Sequence, residues 1–203
     1  MFDRHSILPL HVIKIGGSLL TNTTGRSAIE NAEQWIGQQS NSINIVVVGG
    51  GRGVDHLRRW QRQFNLTELQ SHLNSVQVMS LNTSKLAQSC WLSSVIANWE
   101  VLTDFVYSEN ASPITIMFDC VSFLRDLEPT LSGISLATDW SCTSDSIAAR
   151  IAQLLGADKL TLLKSRTSCC SDLRTLQYAN YVDLSFPQMA ADIKSVTFVD
   201  CSS

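Results

Sequence analysis

Proline is scarce in this 203-residue chain, and none lies between Pro9 and Pro113. So long a stretch without a residue that breaks helices suits a helix-rich first half. Long apolar runs are also missing. None approaches the roughly 20 residues that span a bilayer, which argues against a membrane role. Basic excess is absent too: 15 lysines and arginines against 18 acids leave a net charge of -3. Proteins that hold nucleic acid neutralise its phosphates with a surplus of positive charge, so no nucleic-acid partner is expected. The N-terminal segment lacks a long apolar core followed by a small-residue cleavage site, and no signal peptide is expected. The six cysteines form no C-x-x-C pair and the four histidines fall at no metal-ligand spacing. That pattern fits reduced cysteines in a cytoplasmic protein. The adjacent Cys169 and Cys170 are best explained by a loop. Repeats and low-complexity stretches are lacking, as is any G-x-x-x-x-G-K-[ST] loop.

What remains is the composition of an ordinary folded protein, 44% hydrophobic and 16% charged. The length fits one domain over residues 1–203. His11 to Ile15 reads as a short buried strand, and Ser27 to Gln39 as a helix carrying Ala28, Ala32, Trp35 and Ile36 at helical spacing. Ile43 to Gly51 is a second strand, apolar on both faces and closed by three glycines, as strands covered by helices on both sides are. Val54, Leu57, Trp60 and Phe64 mark the next helix. Thr67 to Trp99 reads as one long helix or two in sequence. "SPITIMFDC" is a third strand, and Phe118 to Leu127 begins a helix. Thr143 or Ser144 caps a further helix whose apolar face is Ile147, Ala148, Ile151, Leu154 and Leu155. Gly156 stops it before a strand at Leu160 to Leu163. The tail from Ser165 to Asp192 reads as irregular, and "SVTFVD" as a last strand. Alternating strands and helices predict an α/β, three-layer αβα sandwich with a mainly parallel central sheet.

The chemistry-bearing places are the two glycine clusters, Gly16-Gly17-Ser18 and Gly49-Gly50-Gly51-Arg52, each directly after a strand. In open α/β sheets ligands bind outside the carboxyl ends of strands, and glycines there let backbone N–H groups approach phosphate oxygens. Either cluster alone reads better as a tight turn. Lys14 tips the balance, because a lysine within an apolar strand loses hydration unless it is paired or reaches an anion. The alternative is that it snorkels past the sheet end. Of only five lysines, Lys14 and Lys164 both sit at strand ends. Two ammonium groups converging there would suit a polyphosphate and phosphoryl transfer. Asp145 is open to three readings: it holds both lysines, it helps carry a magnesium ion, or it is an ordinary first-turn acid.

With K-I-G-G-S from Lys14, G-G-G from Gly49 and T-S-D-S-I-A from Thr143 in this order, the sequence resembles the amino acid kinase family. That family includes acetylglutamate, carbamate, uridylate and isopentenyl phosphate kinases. The length and helix start resemble its short branch, which phosphorylates aminomethylfuran-methanol phosphate in methanofuran biosynthesis. The likeness covers residues 11–64 and 136–165, with a weaker H-L-x-x-V-x-V-M-x-x-N match from His72 to Asn82. It implies an open αβα sandwich that transfers the γ-phosphoryl group of ATP to a small-molecule carboxylate or phosphate acceptor. Lys14 would stabilise the transferring phosphoryl group, Asp145 would organise the catalytic lysines, and Lys164 would contact the nucleotide phosphates. Gly16, Gly17, Ser18, Thr143 and Ser144 would bind phosphate, and Gly49, Gly50, Gly51 and Arg52 would line the acceptor side. Mg2+ would arrive with ATP and not through direct protein ligands.

Family members commonly dimerise, which implies a homo-oligomer; Trp91 and Trp99 are candidates for that interface or for the core. The chain departs from the family pattern after Lys164, where most members carry D-G-[VI]-Y and this one reads "KSRTSCCSDLRTLQYANYVDLSFP". The stretch from Val182-Asp183 to Pro187 resembles a V-D-x-x-F segment of the short branch. A non-catalytic relative that has lost productive nucleotide binding is therefore the alternative. A NAD-dependent oxidoreductase ranks below both, since neither glycine cluster has the Rossmann spacing or its ribose-binding acid.

Overall fold

The computed structural model describes residues 8–20, 26–89 and 94–202. Six strands form one sheet in the order β3-β4-β2-β1-β5-β6, and every neighbouring pair runs parallel. The strands are β1 (Leu10–Ile15), β2 (Ile43–Val48), β3 (Val95–Ile96), β4 (Ile114–Phe118), β5 (Lys159–Lys164) and β6 (Val196–Asp200). The helices are α1 (Arg26–Gly37), α2 (Gly51–Phe64), α3 (Glu68–Ser89), α4 (Trp99–Val106), α5 (Ser144–Leu154), α6 (Leu173–Tyr178) and α7 (Phe186–Met189). The layering is the expected αβα sandwich, with a sheet that is entirely parallel. Among the described residues no helix is long and apolar enough to cross a membrane.

Each central strand feeds two cores, because successive side chains point to opposite faces. Leu10 and Val12 of β1, with Leu160 and Leu162 of β5, pack against Ile147, Ala148 and Ile151 of α5. Ile13 and Ile15 of β1, with Leu163 of β5, pack against Ala28, Ala32 and Ile36 of α1. Both faces are thus covered, which is why β1 and β2 are apolar at most positions on either face. Lys14 and Leu162 are register partners, so Lys14 and Lys164 project from the same face, the one under α5.

Several expectations change. The helix marked by Val54, Leu57, Trp60 and Phe64 is α2 as expected, although Trp60 and Phe64 are 51% and 60% exposed. Leu57 alone of that set is buried. The segment from Thr67 to Trp99 is not purely helical. Helix α3 ends at Ser89, and Val95–Ile96 forms an edge strand beside Met117 and Phe118. Cys90 and Trp91 lie outside the described residues. Trp99 opens α4 and stacks on Phe123, ring centroids 4.5 Å apart, which gives it a core role. The helix expected to begin at Phe118 is a π-helical turn over Phe123–Leu127. The tail after Ser165 is not irregular throughout, since it contains α6 and α7. Cys169 and Cys170 do sit in a loop as free thiols, their sulfurs 3.8 Å apart.

Candidate active site

The chain leaves β1 toward β2 on one side, whereas β5, on the other side of β1, leads away to β6. The crevice between two such strands is where open α/β sheets bind ligands. Lys14 and Lys164 stand at the carboxyl ends of these two strands, and the first turn of α5 lies over them. A cleft of about 590 Å³ opens there.

Asp145 takes both ammonium groups, one on each oxygen. Lys14 Nζ is 2.8 Å from Oδ1 and Lys164 Nζ donates to Oδ2 at 2.6 Å. The Lys14 contact is an ion pair whose angle falls outside hydrogen-bond geometry. Lys14 and Asp145 are each 4% exposed. Burial pushes the Asp145 carboxyl up, but Lys14 and Lys164 outweigh it and hold it down at about 2. Burial lowers Lys164 to about 8, with Asp145 opposing that shift and Lys14 adding to it. The cluster of these three side chains carries one net positive charge in a site largely shielded from water, which is an arrangement suited to an anion. Because each Asp145 oxygen already faces an ammonium group, this carboxylate is poorly placed as a ligand for magnesium.

The two glycine turns form the adjoining wall. The Gly16 amide donates to Leu163 O and the Gly49 amide to Ile15 O, both at 2.9 Å. The sheet ladder therefore continues one residue past the strands and fixes where each turn begins. A 3-10 turn over Gly17–Leu20 follows the first. The second leads directly into α2, with Gly51 at φ +58, a conformation that glycine adopts without a Cβ penalty. Asn82 of α3 donates its amide to Gly49 O (2.8 Å) and Gly50 O (3.1 Å), pinning this turn from behind.

Lys14, Gly16, Gly17, Ser18, Gly50, Gly51, Arg52, Thr143, Ser144, Asp145 and Lys164 all line the one cleft. Gly49 does not; it is buried one residue behind the wall, against Gly17. Thr143 occupies the N-cap position of α5 without making a capping bond. Its hydroxyl instead donates to Asp183 Oδ2 at 2.7 Å, and Asp183 supplies the cap.

The opposite wall was largely hidden in the sequence. Arg58 of α2 lies over the Trp140 ring, 4.7 Å from its centroid, while the Trp140 indole donates to Gln61. Lys164 Nζ donates to Tyr181 O at 2.9 Å, and the Tyr181 hydroxyl donates to Arg166 O at 2.9 Å. The Arg166 guanidinium lies 5.2 Å from the Tyr181 ring centroid. His72 and Asp139 reach the cleft as well. Of these, His72 alone was a named position of a quoted motif.

Cationic groups on one buried carboxylate, set between glycine turns at the crevice of a parallel sheet, place this chain in the class of phosphate-handling α/β proteins. The chain belongs to the amino acid kinase family, whose profile matches residues 9–166. It is similar to a [5-(aminomethyl)furan-3-yl]methyl phosphate kinase of Methanocaldococcus jannaschii, with 23% identity over 196 residues that cover 94% of this chain and 79% of the relative. The fold is shared with a uridylate kinase from Archaeoglobus fulgidus at a TM-score of 0.62 and 18% identity, over 94% of this chain and 89% of that one. It is shared too with a UMP kinase from Ureaplasma parvum at a TM-score of 0.60 and 14% identity, over 97% and 91%.

Proposed function

We propose that this protein is an ATP-dependent small-molecule kinase that transfers the γ-phosphoryl group to a phosphate or carboxylate acceptor. A furan-methanol phosphate of methanofuran-type cofactor biosynthesis is one candidate, suggested by the similar kinase of Methanocaldococcus jannaschii. The observation that carries the reading is the pair of lysines held on the two oxygens of Asp145.

ATP with Mg2+ would supply the phosphoryl group and a divalent charge on its phosphates. Lys14 stabilises negative charge on the group in flight, and Lys164 contacts the nucleotide phosphates. Asp145 keeps both ammonium groups in place before substrate arrives, so little reorganisation is needed during transfer. Gly16, Gly17 and Ser18 face the phosphates, as do Thr143 and Ser144. Gly50, Gly51 and Arg52 border the acceptor. Gly49 acts through packing and not through contact. The non-catalytic alternative is not favoured, because all three charged residues are present and assembled in one cluster.

An acceptor panel tests the activity. Phosphate monoesters, among them UMP and [5-(aminomethyl)furan-3-yl]methyl phosphate, and small carboxylates are each incubated with protein, ATP and Mg2+, and ADP is measured. ADP formation that depends on one acceptor class is the expected result. ADP formation indifferent to every acceptor, or none at all, contradicts the reading.

A further inference from the structure

The segment from Asn180 to Phe186 is tied to both halves of the lysine–carboxylate cluster, and nothing in the proposed chemistry yet uses it. Its centre is Asp183. Oδ2 accepts the Thr143 amide at 2.8 Å, the Thr143 hydroxyl at 2.7 Å and the Ser146 amide at 3.1 Å. Oδ1 accepts the Ser146 hydroxyl. These are the amides that the start of a helix leaves without intrahelical partners, and a carboxylate there is also favoured by the helix dipole. The usual acceptor in such a cap is the N-cap side chain itself. Here it comes from 40 residues further along the chain.

The same segment reaches the lysines. Two residues before Asp183, the Tyr181 carbonyl accepts from Lys164 Nζ at 2.9 Å. Two residues after it, the Ser185 amide donates to Ser141 O at 3.0 Å, fixing the segment to the approach of α5. Asp183 thus closes a ring: β5 carries Lys164, Lys164 holds Tyr181 and Asp145, and Asp145 rides on the helix turn that Asp183 caps.

We propose that Asp183 is a positioning residue for the phosphate site: its carboxylate fixes the first turn of α5, and with it Asp145, while its charge helps balance that of Lys164, which the same segment holds through the Tyr181 carbonyl. Burial and the neighbouring Asp145 push the Asp183 carboxyl up, and its hydrogen bonds to Ser146 and Thr143 oppose that shift. The groups facing Lys164 are Asp145, Lys14 and Asp183, together with Tyr181, whose ring centroid lies 5.4 Å from Nζ. Asp183 favours the charged form of Lys164. This role rests on the proposed phosphotransferase site, but the tests below need no nucleotide. Failure to bind Mg-ATP would therefore leave them readable.

With five lysines in the chain, 13C labelling of lysine resolves each side-chain signal by NMR, and Lys164→Arg assigns the relevant one. Asp183→Asn keeps the shape and one carbonyl acceptor for the amides but removes the charge. The Lys164 midpoint then moves to lower pH than in the parent. A role confined to capping would leave it where it is, and an unmoved midpoint overturns the charge-balancing half. Asp183→Ala removes the cap, and hydrogen exchange at the Thr143 and Ser146 amides speeds up while the amides of β1 and β2 keep their protection. Unchanged exchange at those two positions overturns the capping half. Should Asp183→Ala fail to fold, the parent supplies the same test: both amide protons must follow the titration of the Asp183 carboxyl, and their indifference to it overturns the cap.

Discussion

Gly17 and Gly51 meet backbone to backbone: a Cβ on Gly17 would lie 2.1 Å from the Gly51 nitrogen and 2.6 Å from its Cα. The two glycine turns are therefore one structure, although 34 positions separate these residues in the sequence. The obstacle is main chain and not the tip of a flexible side chain, so no rotamer change relieves it. Gly17→Ala pushes the turns apart, at a cost of about 1–3 kcal/mol as for other overpacked positions. Thermal unfolding should show the loss, and titration with Mg-ATP should show weakened binding along with it.

Asp145→Asn removes the charge that both lysines share and leaves two ammonium groups buried side by side. Breaking a buried pair in this way costs about 3–5 kcal/mol. If the protein folds, phosphoryl transfer falls by on the order of 10²–10³, the scale seen when a preorganised electrostatic contact is lost. Steady-state kinetics with the acceptor found in the panel checks this, alongside a melt to separate misfolding from misalignment.

Lys164 gives the site a pH dependence. Its ammonium group is held at about 8 in the folded protein, against 10.5 for a free lysine. The positive form is present below that value and is lost as pH rises through it. Affinity for Mg-ATP should accordingly fall across pH 8, and Lys164→Arg, whose charge does not titrate there, should flatten the profile. Binding measured between pH 7 and 9.5 decides the point.

His11 makes the fold acid-sensitive at a distance from the cleft. It is buried between Thr161, bonded at 2.7 Å, and the edge of Trp35. Burial, with Lys159 adding to it, lowers its pKa from 6.5 to about 4. The unfolded chain therefore binds the proton more readily, and stability falls as pH drops from 6.5 toward 4. Between pH 7.5 and 5 the loss is about 2 kcal/mol. Denaturant unfolding at the two pH values measures it, and His11→Gln should remove most of the difference.

The central layers were legible because parallel strands with both faces covered leave long apolar runs, as β1 and β2 do. Lys14 stood out for the same reason, since a lone charge interrupts such a run. The edge strand β3 escaped because two residues, Val95 and Ile96, carry no periodicity and are paired on one side only. Trp60 and Phe64 marked α2 correctly but not its buried face, because helical spacing records a repeat and says nothing of whether a partner layer covers it. The cap by Asp183 was invisible: the local T-S-D-S pattern already looks like a helix start, and no spacing rule links it to a carboxylate 40 positions on.

The most direct measurement is isothermal titration of the intact protein with Mg-ATP, repeated with Lys14→Ala and with Lys164→Ala. A phosphate site built on two lysines predicts one nucleotide per chain for the parent and a marked loss of affinity in each variant. No binding by the parent, or equal binding by all three proteins, would contradict it.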